Sequence, residues 1–129
     1  MTGLDSNILI RYLAQDDPLQ SPLATKTIER GLTEKDPGFV SAVTIAEIVW
    51  VLDRVYGLPD REIADAVERI LQAETLFVQN EQEVFTAMIA LRTGSGQFAD
   101  ALIGALSRWA GCNLTLTFDK RAARLSGFK

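Results

Sequence analysis

The chain has 129 residues, 47% of them hydrophobic and 23% charged, with 17 acids against 13 bases. A chain of this length buries roughly two-thirds of its unfolded surface, so one domain spanning 1–129 is expected, with no room for a second core. Near-average charge content excludes wholesale disorder, no apolar run approaches the roughly 18–20 residues of a membrane span, and a net charge of −4 has the wrong sign for a broad basic nucleic-acid face.

The residue types that are absent exclude more. There is no histidine and only one cysteine, Cys112. A Ser-His-Asp triad, a Cys-His pair, a histidine-based ribonuclease and a His-ligated zinc are therefore impossible, as are a disulfide framework and a Cys-rich zinc site. Chemistry has to run on carboxylates, hydroxyls, amides, Lys or Arg. Any metal ligands would be oxygens, which favours Mg²⁺ or Mn²⁺ over Zn²⁺. The start, Met1-Thr2-Gly3-Leu4-Asp5, has no basic region and meets an acid at once, so no signal peptide is expected and a cytoplasmic setting follows.

In chain order, a short apolar start ends at Asp5. A helical pattern (Ile8, Leu9, Tyr12, Leu13) then runs to the turn Asp16-Asp17-Pro18. A second helix is expected over Leu19 to about Leu32, and Lys35-Asp36-Pro37-Gly38 reads as a turn. Phe39-Val40-Ser41 reads as a strand and Val43 to Tyr56 as a long helix. Gly57-Leu58-Pro59-Asp60 breaks that helix, with Asp60 expected to cap a further one ending near Gln72. Thr75–Val78 reads as a strand, Glu81–Leu91 as a helix, and 92–97 as a loop. A helix over Phe98–Ala110, a strand over Asn113–Phe118 and a short helix from Lys120 complete the pattern. Strands alternating with helices predict an α/β fold on a parallel sheet.

Four acids stand out on that framework. Asp5 and Asp119 each follow a strand, and ligands of open α/β sheets sit beyond the strands' carboxyl ends; helix capping is an equally good use of an Asp there. Thr115, Thr117 and Asp119 share a strand face by alternation. Glu47 is the only ionisable residue between Thr44 and Leu52. A carboxylate amid so much apolar surface is costly unless paired or metal-bound; the bland alternative is a partly exposed Glu. Asp100 points away from the stripe Phe98, Leu102, Ala105, Leu106, Trp109, with Gly104 and Ser107 on its own face. Small residues there are expected to leave room for a ligand, although a first-turn acid also suits the helix dipole.

Taken together, Leu4-Asp5-Ser6-Asn7-Ile8-Leu9, Ala46-Glu47, Phe98-Ala99-Asp100-Ala101-Leu102-Ile103 and Thr117-Phe118-Asp119 closely resemble the PIN domain, and within it the VapC-type toxins of bacterial toxin–antitoxin pairs. The resemblance covers essentially the whole chain. It implies a three-layer α/β/α fold with a central parallel sheet, and a Mg²⁺- or Mn²⁺-dependent ribonuclease. It also implies that Asp5, Glu47, Asp100 and Asp119 gather at one end of the sheet to hold the metal, with Asn7 and Thr117 supporting them by hydrogen bonds. There are two departures: Ser6 stands where Thr is commoner, and Gln97 stands where many members carry a further Asp, which bears on whether one metal binds or two.

A cation makes physical sense of such a cluster. Two carboxylates 4 Å apart repel by about 4 kcal/mol at an effective dielectric of about 20, and a metal relieves this while activating water without histidine. With the four acids set aside, the remaining acids balance the 13 bases. RNA is then expected to be held through the metal and local cations, for which Arg11, Lys120, Arg121 and Arg124 are candidates. An inactive PIN-like binding module is one alternative; a receiver-type phosphoacceptor is a weaker one, because the strand at 75–78 runs into Gln79-Asn80. The resemblance further implies a cognate antitoxin. The nearly all-round apolar helix Val43–Tyr56, with Trp50, is expected to form an interface, in a homodimer that also accepts an amphipathic antitoxin segment.

Overall fold

The computed structural model describes residues 1–129. Strands β1 (Thr2–Gly3), β2 (Gly38–Val40) and β3 (Leu76–Val78) run parallel, side by side in that order. Gly3 sits opposite Phe39, and Phe39 opposite Phe77. Parallel neighbours need crossovers rather than tight turns. Helices α1 (Ser6–Ala14) and α2 (Gln20–Lys26) make the first crossover, and α3 (Ala42–Arg54) and α4 (Asp60–Gln72) make the second. Helices α5 (Glu81–Thr93) and α6 (Phe98–Trp109) follow, completing a three-layer α/β/α fold.

Local chemistry fixes the ends that matter for the site. Asp5 caps α1 by accepting from the Ser6 amide, and Ser41 caps α3 by accepting from the Thr44 amide at 3.0 Å. The Gln79 side chain, just past β3, accepts from the Ala42 amide at 3.0 Å. A residue at the position expected of a phosphoacceptor therefore serves as a second cap for α3. Gly38 lets β2 approach β1: a Cβ there would meet the Leu4 and Leu32 side chains at 2.7 and 2.8 Å. A 22-residue core follows the helical periods, with Leu9, Ile45, Ile48, Ile63, Val67, Val84 and Met88 almost wholly buried around Val40.

The structure departs from the sequence reading in four places. Helix α2 gives way after Lys26 to a wide turn over Thr27–Gly31, and its start is capped by Asp17, which accepts from Leu19 and Gln20 at 2.9 and 2.7 Å. Pro59, not Asp60, occupies the cap of α4; Asp60 instead opens the first turn with Glu62, where acids suit the helix dipole. The largest departure is 113–118, which forms no strand of the sheet. Its backbone pairs with the chain's own end: Thr115 N–H donates to Gly127 at 2.8 Å, Lys129 N–H to Thr115 at 2.9 Å, and Thr117 N–H to Lys129 at 3.1 Å. Alternation had revealed the extended conformation, with Leu114, Leu116 and Phe118 on one exposed side. It carries no information about which backbone supplies the partner groups. The short helix expected from Lys120 is a single 3₁₀ turn over Ala122–Arg124.

Candidate metal and active site

The site begins at the carboxyl end of β1. Asp5 Oδ1 accepts from the Ser6 amide at 2.8 Å and lies 3.5 Å from Ser6 Oγ, which donates to Glu47 Oε1 at 3.0 Å. Ser6 is only 2% exposed, so α1 and α3 are joined by one buried hydroxyl that brings two carboxylates close. A hydroxyl has one proton to give, and the shorter distance directs it to Glu47. Capping and ligation are compatible at Asp5, because both of its hydrogen bonds fall on Oδ1.

The burial argument for Glu47 is overturned. Glu47 is exposed, on a face it shares with Val43 (76% exposed) and Trp50 (57%). Only Ala42, Ile45, Ile48 and Leu52 of α3 enter the core, so the surplus apolar residues face outward and Glu47 escapes desolvation.

Asp100 lies half-buried in the first turn of α6. The room expected beside it at Gly104 is filled: the Phe128 ring packs where a Cβ would stand. The core stripe of α6 is also shorter than its spacing implied, since Trp109 is 67% exposed. Gln97 takes the cap position of α6 without giving a side-chain hydrogen bond.

Asp119 caps the 3₁₀ turn, its Oδ1 accepting from Arg121 and Ala122 at 2.7 and 3.3 Å. Thr117 Oγ1 accepts from the Asp119 amide at 2.9 Å and so supports the backbone of that acid rather than its carboxylate. Asn7 is exposed and makes no side-chain hydrogen bond to any of the four acids.

No three acidic side chains stand close enough to hold one ion between them. The structure thus joins Asp5 and Glu47 through Ser6, while Asp100 and Asp119 make no hydrogen bond to either of them. The donor chemistry nonetheless fits a hard divalent cation. All four donors are carboxylates, and Asp5 and Asp119 each keep Oδ2 outside the protein's hydrogen bonds.

Among the candidate RNA-binding cations, Arg11 is engaged elsewhere. Its guanidinium donates to Gln20 at 2.9 Å, Asp16 at 3.2 Å and Tyr56 at 3.4 Å, tying α1 to the start of α2 and the residue two beyond α3. Lys120, Arg121 and Arg124 are exposed and form no ion pair. The Arg11 cluster has no signature in the sequence, because Asp16 and Tyr56 are 40 residues apart. The Tyr56 hydroxyl donates to Asp16 at 2.7 Å. That bond, with the Arg11 charge, holds the Asp16 carboxyl below its ordinary range; the same carboxylate raises the Tyr56 phenol.

The structure defines an α/β protein with two carboxylates linked through a buried serine beyond a parallel strand. The PIN domain family matches residues 4–127, and the chain belongs to that family. PIN domains are generally nucleases, typically use divalent metal ions and act on nucleic acids. Comparison with characterised proteins and with solved structures returned no match. No helix is long and apolar enough to cross a membrane.

Proposed function

We propose that the chain is a VapC-type toxin of a toxin–antitoxin pair: a Mg²⁺- or Mn²⁺-dependent endoribonuclease acting in the cytoplasm. The observation that carries this reading is the Asp5–Ser6–Glu47 arrangement at the carboxyl end of β1 in a PIN fold. Asp5, Glu47, Asp100 and Asp119 would hold the cation, with Asn7 and Thr117 nearby in sequence. When bound, such a cation supplies a Lewis acid and a water of lowered pKa. The residues of the chain do the positioning. The Ser6 hydroxyl orients Glu47, and the α1 cap fixes Asp5 Oδ1 while leaving Oδ2 without a protein hydrogen bond. In-line hydrolysis of a phosphodiester is expected to leave a 5′-phosphate and a 3′-hydroxyl.

The partners follow from the same reading. Ile103, Trp109, Leu116 and Phe118 are all exposed, and apolar surface on this scale supports a homodimer that also accepts an amphipathic antitoxin segment. A basic side chain of that segment would reach the acids. A PIN-fold binding module without activity is the second reading, favoured because no three acidic side chains are grouped tightly enough to hold one ion.

The test is cleavage of a mixed RNA pool with Mg²⁺ and with chelator, followed by mapping of the ends. Metal-dependent cuts with 5′-phosphate ends support the nuclease, whereas RNA that is bound but left intact selects the binding module. Co-expression with the neighbouring small reading frame, followed by pull-down, tests the antitoxin.

A further inference from the structure

A cavity of about 250 Å³ is lined by chain neighbours of three of the acids, though by none of the four acids themselves. Ala46 and Trp50 flank Glu47 on α3, Gln97 and Ala99 precede Asp100 at the start of α6, and Arg121 follows Asp119 by two residues. Arg54 adds a second guanidinium one turn beyond Trp50.

The lining indicates what fits. Arg54 and Arg121 are offset by Asp53 and Asp60 in the same walls, so a phosphate gains no net attraction inside. The Asp53–Arg54 pair is long, 3.7 Å, with both side chains more than half exposed; such pairs contribute little, and Arg54 is free to turn to another anion. An indole face, an amide and charges of both signs suit a flat, neutral group rich in donors and acceptors. The volume falls below the roughly 300–1,000 Å³ of sites that enclose a whole small molecule, so the occupant is one planar heterocycle still attached to a strand outside. A protein of net charge −4 also needs a hold on RNA beyond bulk electrostatics, and stacking supplies it.

We propose that this cavity takes one unpaired nucleobase of an RNA strand, stacked on Trp50, with Arg54 and Arg121 turned to the adjoining phosphates. The stacked base sets the neighbouring linkage against the acids. The proposal rests on the nuclease reading above and makes Trp50 a substrate-positioning residue. Single-stranded RNA is generally read by splayed bases on aromatic faces and guanidinium planes.

The test is fluorescence anisotropy with a labelled single-stranded RNA and a matched abasic strand. Ca²⁺ replaces Mg²⁺, and RNA integrity is followed on gels. Trp50→Ala is expected to weaken RNA binding about 5- to 150-fold and to leave the abasic strand's affinity unchanged. Trp50→Phe should retain most of the affinity, and Phe85→Ala, an exposed aromatic outside this cavity, should retain all of it. Trp50 is more than half exposed, so the variants should fold, as circular dichroism checks. Unchanged RNA affinity in Trp50→Ala overturns the proposal, as does an equal loss on the abasic strand. A variant that alters only self-association or capture of a protein partner also overturns it and assigns Trp50 to a protein interface. If the parent protein binds no RNA at all, the nuclease reading itself fails and the base site with it.

Discussion

The Ser6 hydroxyl offers the sharpest test of the site, because Ser6→Ala removes one oxygen from a residue that is 2% exposed. A hydrogen bond to a charged partner contributes about 1.5–3 kcal/mol. Glu47 is exposed, however, so water replaces the lost donor at its carboxylate and the cost falls to about 1 kcal/mol. The alanine methyl leaves no orphaned polar group behind. At about 2.1 cal/mol/K per residue, a chain of 129 residues then loses about 4 °C in Tm. A double-mutant cycle with Glu47→Ala, read by thermal unfolding, should give a coupling of about 0.5–1.5 kcal/mol. Activity should respond more than stability does. Partners that orient ligating groups are typically worth 10–100-fold in metal affinity or activity, so RNA cleavage by Ser6→Ala should fall by about that factor in a protein that remains folded. Zero coupling in the cycle, or full cleavage by Ser6→Ala, would refute the inference that this hydroxyl sets the position of Glu47.

Asp5→Asn and Asp100→Asn should each abolish RNA cleavage while keeping or raising metal-free Tm. Asn caps a helix about as well as Asp, and repulsion between acids is removed. Gln97→Asp places a good capping side chain at the uncapped start of α6 and should stabilise by about 1 kcal/mol. Calorimetry should also find tighter Mn²⁺ binding, and unchanged affinity and stoichiometry would put this position out of the metal's reach. Tyr56→Phe removes the main cause of the lowered Asp16 pKa. A depressed carboxyl pKa contributes stability that is present above the unfolded value near 4 and lost as pH falls through the folded one. The raised Tyr56 phenol contributes below about pH 10 and loses this as pH rises. The wild-type advantage in Tm should therefore appear between about pH 4 and 10 and shrink on both sides; a pH-independent difference would contradict the assignment. Gly104→Ala should destabilise, because Phe128 occupies the space a Cβ needs. In a Phe128→Ala background the same change should stabilise by up to about 1 kcal/mol, since helix propensity then acts alone, and urea unfolding reads both signs.

The sequence by itself determined the elements, the parallel α/β class and the donor chemistry. Those properties depend on local periodicity, on caps such as Asp5 and Ser41, and on which residue types exist at all: without histidine, oxygen donors are what remain for a metal. It also marked the four acids, through short motifs whose order survives in one dimension. Tertiary structure decided the rest, because each remaining question depended on a partner distant in the chain. Glu47 reads as a costly buried charge until the packing of α3 leaves its face open beside Trp50. Gly104 reads as space for a ligand until Phe128 fills it from 24 residues away. The segment 113–118 reads as a sheet strand, but its backbone groups pair with Gly127–Lys129, and Asp119 caps the 3₁₀ turn that follows. Alternation fixes which way side chains point along an extended segment, while the choice of hydrogen-bonding neighbour is made only when the whole chain competes for the same edge.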